Sequence, residues 1–495
     1  MHERWARLLA PLFASLLFAC PSYAQAGLGH VDDPSTAPRG LLRLRAMTAW
    51  TRYDERFTAS GVESLGAFLT ADSLGGRQVP ALASIGSLVQ SASGSPFTLT
   101  LGRSRLNATA REEVIPIGLE YGVSNRLSVT LFMPIVRKRV ATLFQLDTAG
   151  SAANVGPNPH RTSVLALQTN TQVQAEFASA AAQLQARLQS CGADPTGPGC
   201  AVLLARQAEA AQLIQSSQSF ASDLAALYGS GAGSGMAFVP ISLSPAQIAI
   251  GQRVADFNTR YRDLLATSAT LIQALPFAAG GPAGPSDFQR YVIEDLGADS
   301  LNTQERVGIG DMEVGFRFRL LDRPRTERDR TGLQLTVASS VRLPTGSTQS
   351  TSDIVDLRIG EGSVVVDSRA LLDARAGRIG LFAAGQFATS VHDKDTTNLA
   401  TRNSRWSEIQ VAPRWHLSEA LALHAAYSLR STDKFGSDQL IGGGVSYSTL
   451  SAYRGGGRSL PREMRFTHLE AVTGAENRPK FFRDQIEVRI YFRLY

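Results

Sequence analysis

The chain has 495 residues, with 49 Lys and Arg against 43 Asp and Glu, a formal charge of +6 and 43% apolar residues. The basic excess is small and dispersed, which argues against a nucleic-acid partner. Beyond residue 24 no apolar run reaches the roughly 18 residues of a spanning helix. Any membrane passage must therefore use strands, which hide their backbone polar groups only by closing into a barrel.

Arg4 and Arg7 precede an apolar stretch, Leu8 to Ala19, and the small-residue pattern Ser22-Tyr23-Ala24. Residues 1–24 read as a signal peptide cleaved after Ala24, leaving 47 basic and 42 acidic residues. The competing reading is lipidation of Cys20, because Leu17-Phe18-Ala19-Cys20 approaches a lipobox; bulky Phe18 speaks against it. Residues 25–40 then form a linker.

Segment 41–140 is expected to hold three barrel strands. The first covers about 42 to 56. Ile115, Ile117, Leu119, Tyr121 and Val123 alternate with Pro116, Gly118, Glu120 and Gly122. After Ser124-Asn125-Arg126 the rhythm restarts at Leu127, Val129, Leu131, Met133 and Ile135, which predicts a tight hairpin. Pro134 and Pro344 are expected near strand ends, where proline is tolerated.

Segment 141–305 does not alternate and reads as a helical, coiled-coil-like insertion. Val173, Phe177, Ala180, Leu184 and Leu188 recur at three- and four-residue steps, and Leu213, Phe220, Leu224 and Leu227 continue the pattern. Between the two runs, Cys191 and Cys200 flank a Pro/Gly-rich loop. In an exported chain they read as a disulfide, with two free buried thiols as the alternative. No nearby His completes a metal site. Ser244-Pro245-Ala246-Gln247 reads as a capping box that opens a third helix. Its apolar face would run through Val254, Phe257, Tyr261, Leu264, Leu271 and Leu275. Gly229 to Gly235 and Gly280 to Gly284 read as flexible joints.

Segment 306–495 supplies nine more strands. They fall at 312–320, 333–343, 363–375, 379–391, 406–416, 420–430, 439–449, 462–473 and 484–495. The last carries Ile486, Val488, Ile490, Phe492 and Leu494 on one phase and ends at Tyr495 on the other. The fold class is thus an all-β transmembrane barrel of about twelve antiparallel strands, with a large helical insertion in one loop. An even count returns both termini to the periplasm and makes the short connections periplasmic and the long ones external. Residues 322–332 and 450–461 fit that parity awkwardly, being long for periplasmic turns.

Charges on the strands keep to one phase. Arg or Lys facing mid-bilayer lipid costs roughly 2 to 4 kcal/mol, so this phase should face the lumen. The candidate lumen-lining residues are Glu313, Arg317, Arg319, Arg342, Asp367, Arg369, Glu408, Arg414, His416, His424, Arg430 and Arg489. They could form a ladder along a solute path or a paired network that fills a narrow barrel. His416-Leu417-Ser418 has the spacing of an outer-membrane lipase dyad, but His416 shares the lumen phase and Ser418 falls in a periplasmic turn, so no catalytic residue is assigned.

These residues together resemble a known family. Gly118 to Leu127, then Pro134, then Gly308-Ile309-Gly310-Asp311-Met312, then Leu343-Pro344-Thr345-Gly346, are similar to the outer-membrane barrels named after the meta-cleavage pathway of phenol degradation. The likeness covers most of 110–140 and 306–495. It implies a barrel that admits hydrophobic or aromatic compounds. The insertion departs from the family's compact pattern, and Tyr495 departs from the usual phase of the closing residue.

The sequence thus predicts a non-enzymatic outer-membrane protein, passively admitting small hydrophobic or aromatic compounds, with no cofactor and no metal. Its expected partners are outer-membrane lipid, the barrel-assembly machinery and a small-molecule solute of unspecified identity; no oligomeric state follows. The alternative is a surface-exposed binding or structural protein with the barrel as anchor.

Overall fold

The computed structural model describes residues 34–148, 153–323, 331–347, 357–393, 405–433 and 436–493. The expected signal peptide, Cys20, the turn at 324–330 and Tyr495 lie outside these residues. The chain divides into two compact units, one of Met1–Leu65, Asn107–Leu143 and Ala298–Tyr495, the other of Gly66–Leu106 and Phe144–Gly297. The boundaries expected at 140/141 and 305/306 thus fall at 143/144 and 297/298, and 66–106, expected to belong to the barrel, joins the second unit.

The first unit is a closed antiparallel barrel of twelve strands. In chain order they are β1 (Leu41–Thr58), β2 (Arg103–Gly122), β3 (Leu127–Asp147), β4 (Met312–Arg323), β5 (Thr331–Leu343) and β6 (Ser363–Ala376). There follow β7 (Ile379–Asp393), β8 (Arg405–His416), β9 (Leu421–Thr432), β10 (Gly436–Ser448), β11 (Arg462–Thr473) and β12 (Pro479–Arg493). Each pairs with its sequence neighbours, and β12 returns to β1 in register from Leu41↔Arg493 to Arg56↔Pro479. No sheet edge is left around the ring, which is how a barrel satisfies its backbone.

Alternation decides which face is which. On β4, Val314, Phe316, Phe318 and Leu320 are exposed on the outside while Glu313, Arg317 and Arg319 are buried inside. The same inversion of a soluble protein holds on β12, where Ile486, Ile490 and Phe492 are exposed and Gln485, Glu487 and Arg489 are buried. An apolar exterior around a charged interior is the pattern of a barrel solvated by lipid. Among the described residues no helix is long and apolar enough to cross a membrane.

One end of the barrel has tight turns set by local chemistry. Ser124 Oγ accepts from Arg126 N–H (3.1 Å) and Leu127 N–H (3.0 Å), and Ser418 Oγ accepts from Ala420 N–H (3.2 Å) and Leu421 N–H (3.0 Å). Gly377, at φ 59°, supplies the left-handed residue of the β6–β7 turn. The awkward 450–461 connection also lies at this end. It holds a short helix, Leu450–Arg454, whose Leu450 packs with Leu41, Tyr453 and Tyr491.

The placement of Pro134 differs from expectation. It stands inside β3, not at its end, because the partner strand is interrupted there: Leu127 to Phe132 pair with β4, whereas Ile135 to Val140 pair with a separate strand, Gln304–Ile309. The missing proline N–H leaves no ladder bond unmade at such a break, and Pro134 O accepts from Gly310 N–H (2.8 Å).

The second unit is helical: α1 (Ala81–Ser93), α2 (Val164–Ala193), α3 (Cys200–Ala205), α4 (Gln207–Tyr228), α5 (Pro245–Leu265) and α6 (Pro285–Glu294). Cys191 and Cys200 form a disulfide between α2 and α3. Phe177, Phe220 and Phe257 meet ring to ring at 5.2 to 5.8 Å, knitting α2, α4 and α5 together. Ser244 caps α5 by accepting from Gln247 N–H (3.3 Å), but the reverse half of the expected box is absent. Gln247 instead accepts from the Tyr228 hydroxyl and donates to Pro276 O (3.2 Å).

Two expectations for this unit are corrected. Leu271 and Leu275 are not on α5, which stops at Leu265; Ala266 turns left-handed (φ 52°), and Asn258 Oδ1 accepts the N–H groups of Leu271 (2.9 Å) and Ile272 (3.0 Å). The glycine stretch at 229–235 is tied down. Gly231 O bonds His160 Nε2 (2.8 Å), and Asn158 Nδ2 donates to Tyr228 O (3.2 Å) and Met236 O (2.9 Å).

Candidate functional site in the barrel interior

Strand phase turns the charged residues of the strands inward, and the charges meet one another. Glu120 of β2, fully buried, is the densest node. Its Oε1 accepts from Ala37 N–H (2.9 Å) and Ser128 Oγ (2.6 Å), and Arg43 of β1 bonds Oε2 through Nε (3.1 Å) and Nη2. Arg317 Nη1 stands 4.0 Å from the same oxygen. Arg43 also donates to Ser35 Oγ (3.0 Å) and the Tyr491 hydroxyl (3.3 Å), and that hydroxyl donates to Glu463 Oε2 (2.6 Å).

A second node is Glu487 on β12. Arg45 Nε (2.8 Å) and Arg489 Nε (2.8 Å) donate to it, and Arg465 Nη1 lies 3.7 Å away. On the opposite wall Glu313 sits between Arg342 (3.8 Å) and Arg369 (3.6 Å). Arg369 Nε donates to Asp367 (2.8 Å), and Arg342 pairs with Glu361 (3.2 Å). Glu408 accepts from Ser428 Oγ and Gln410 Nε2, both at 2.7 Å. Arg414 pairs with Asp373 (2.7 Å), Arg319 with Asp322 (2.6 Å), and Arg430 lies 4.0 Å over the Trp406 ring. His424 Nε2 is 3.2 Å from Thr467 Oγ1.

Across this interior runs the segment before β1. Pro34 O accepts from Thr336 Oγ1 on β5 (2.5 Å), Thr36 O accepts from Arg454 Nη2 of the short helix (2.9 Å), and Ala37 N–H reaches Glu120. Ser35, Thr36 and Ala37 are all buried. The segment thus bridges walls formed by β1, β2 and β5, with Leu450–Arg454 as a fourth support. Beside it, at the short-turn end, lies a cavity of 1210 Å³ lined by Pro38, Tyr453, Glu463 and a majority of arginines over carboxylates.

The twelve candidates therefore do not form one ladder. Arg319, Arg414, His416 and Arg489 line the cavity. Glu313, Arg342, Asp367 and Arg369 form one ion-paired cluster; Arg317 joins Glu120; Glu408, His424 and Arg430 have the separate contacts given above. Arg43, Arg45 and Glu120 were not among the candidates, although they obey the same phase rule on β1 and β2. The segment at 34–38 carries no periodic signal that would have marked it.

Two motifs of the family resemblance, Gly308–Met312 and Leu343–Gly346, meet at the other end of β4 and β5, whereas Gly118–Leu127 forms the tight β2–β3 turn. Asp311 accepts from Gly346 N–H (2.8 Å) and Glu361 N–H (2.7 Å). Thr345 Oγ1 donates to Gly310 O (2.9 Å) and accepts from Met312 N–H (2.9 Å). A Cβ on Gly346 or Gly360 would press on the other glycine and on the Asp311 carboxylate. The motif is a latch that holds the β5–β6 connection against the start of β4. The Ser418 hydroxyl is the turn cap described above. Among the described residues no group of three or more His, Cys, Asp or Glu could hold a metal.

No family model and no curated relative matches the chain. Solved structures that resemble it include an outer membrane channel of Pseudomonas putida F1 at 9% identity and TM-score 0.38, covering 93% of this chain and 98% of that one. The P. putida toluene transporter TodX follows at 10% identity and TM-score 0.26, covering 95% and 98%. A Pseudomonas aeruginosa FadL homologue stands at 9% identity and TM-score 0.25, covering 97% and 100%. At these scores the likenesses carry no argument about function.

Proposed function

We propose that this protein is an outer-membrane barrel that passively admits small hydrophobic or aromatic compounds, with residues 34–38 as an internal stopper. The observation that carries the reading is the closed twelve-strand ring, apolar outside, with a cavity of 1210 Å³ beside a buried segment that belongs to no strand. Such a segment is held by a handful of polar bonds and not by a sheet ladder. The resemblance of Gly118–Leu127, Gly308–Met312 and Leu343–Gly346 to the phenol meta-pathway barrels supplies the solute class. The short-turn end then faces the periplasm and the long-loop end the outside.

A second reading makes the barrel an anchor for the helical unit. The mutual pairing of the interior charges favours it, because Glu120, Glu487 and Glu313 are each shared between arginines of the wall. The two readings separate on purified protein in planar bilayers and in liposomes swollen with a small aromatic alcohol. Deleting residues 34–38 is expected to raise conductance and swelling above the intact protein. Silence of both forms in both assays would reject the channel and leave the anchor.

A further inference from the structure

Three arginines form a rung on the outside of the barrel. Arg52 of β1 is paired with Arg111 of β2. The β2–β3 hairpin closes with Val123 N–H on Leu127 O, lays Phe132 against Gly118 and brings Lys138 Nζ within 3.8 Å of Glu112 Oε1. The same register sets Arg139 of β3 opposite Arg111. All three are exposed on the outward phase. Among the described residues, none of the three has an ion-pair or hydrogen-bond partner for its side chain.

The neighbouring acids do not neutralise this rung. Glu305, opposite Arg139, gives its carboxylate to Arg137 (2.8 Å); Glu113 lies one rung nearer the short turns, beside Trp50; Asp54 lies one rung farther. Like charges placed directly opposite on adjacent strands destabilise a sheet. Three in a row, about 4.8 Å apart from strand to strand, is a cost that an anion spanning them would relieve.

Position identifies the anion. Going from the short turns, the outward rows on these strands read Leu42 with Tyr121, Leu44 with Leu119, Ala46 with Ile117, then Trp50 with Glu113, then the arginines. On β12 the apolar exterior is interrupted at Asp484, which pairs with His468 (2.8 Å) in the row of Trp50, and an exposed aromatic, Phe482, follows in the row of Arg52. Tilted strands rising about 3.3 Å per residue give the belt from Leu42 to Trp50 a height of roughly 20 Å, close to a barrel's lipid band. Trp50, 44% exposed, is the interfacial aromatic. The rung therefore sits one step beyond the belt at the long-loop end, at headgroup depth.

We propose that Arg52, Arg111 and Arg139 bind the phosphate groups of lipid headgroups in the outer leaflet. Guanidinium forks match phosphate oxygens in charge and geometry, and the adjacent apolar rows receive the acyl chains. The proposal rests on the membrane reading of the barrel but not on solute passage. Free phosphate offers the same oxygens without the chains.

The test uses the full chain in vesicles of zwitterionic phospholipid, with or without a bisphosphorylated glycolipid or its dephosphorylated form. The readouts are the temperature at which the barrel loses its heat-modifiable migration and the lipid retained in native mass spectra. The phosphorylated lipid should raise the unfolding temperature of the wild type; the dephosphorylated lipid should not. In R52Q/R111Q/R139Q the rise should vanish and retention should fall about tenfold or more. In zwitterionic lipid alone this variant should be at least as stable as the wild type, since a repulsion is gone; this also shows that it folds. A triple variant that keeps the rise overturns the proposal. An equal rise of the wild type with millimolar inorganic phosphate overturns the lipid assignment. Failure of the wild type to float with vesicles overturns the membrane premise instead.

Discussion

Glu120 shows how much a single interior carboxylate can organise. It is buried with Arg43, Arg317, Ser128 and the backbone of Ala37 around it, so its charge is the counterweight for two guanidiniums. Removing one member of such a group leaves an uncompensated buried charge, which costs on the order of 3–5 kcal/mol. Glu120→Gln keeps the shape and the acceptor for Ala37 but removes the charge. It is expected to lower the urea midpoint of the barrel in detergent by a matching amount and to expose 34–38 to protease. An unchanged midpoint and cleavage pattern would show that Arg43 and Arg317 have other adequate partners. The inward direction of Glu120 was legible from its alternation with Leu119 and Tyr121. Its bond to Ala37, 83 positions away, was not, because periodicity reports on faces and says nothing of which segment enters the space they enclose.

At the scale of elements, the strands were readable because lipid imposes a strict two-residue period with a large penalty for error. The helices were less so. Leu82, Ile85, Val89 and Ala92 have helical spacing and Gly94 supplies a left-handed C-cap, yet α1 sits in a stretch rich in Gly and Ser that reads as loop. At the far end of α5 the apolar spacing ran on through Leu271 and Leu275 although Asn258 had already folded the chain back. The α4–α5 contact carries a pH prediction. Burial pushes the Tyr228 phenol far above its ordinary value, and burial raises Tyr261 and Tyr291 as well. A group whose value is raised on folding contributes stability in full below its unfolded value and loses it as pH rises through the folded one. The helical circular-dichroism melt is therefore expected to fall above roughly pH 10, and Tyr228→Phe should blunt the fall. A melt equally sensitive in that variant would assign the loss to the other tyrosines.

At the scale of the whole molecule, the chain is two units threaded through each other in sequence. The insertion after β3 was legible from its loss of alternation; the recruitment of 66–106 was not, since nothing local distinguishes a loop that joins a helical core from one that merely connects strands. Two separate cores predict two separable responses. The Cys191–Cys200 bond closes a loop of sequence separation 9, for which chain entropy gives about 2.5 kcal/mol. Cys191→Ser with Cys200→Ser should lower the helical melt accordingly and leave the heat-modifiable migration of the barrel untouched. Coupled loss of both would mean that the barrel depends on the helical core.

The stopper also constrains the order of assembly. Residues 34–38 are held at once by β1, β2, β5 and Leu450–Arg454, while the ring around them is completed only by the zipping of β12 onto β1. A segment anchored to so many staves has to be threaded before the hoop is drawn tight. Residues 34–38 thus act as a mandrel around which β12 closes, and bulky cargo inserted just ahead of them should jam biogenesis more severely than the same cargo placed in an external loop.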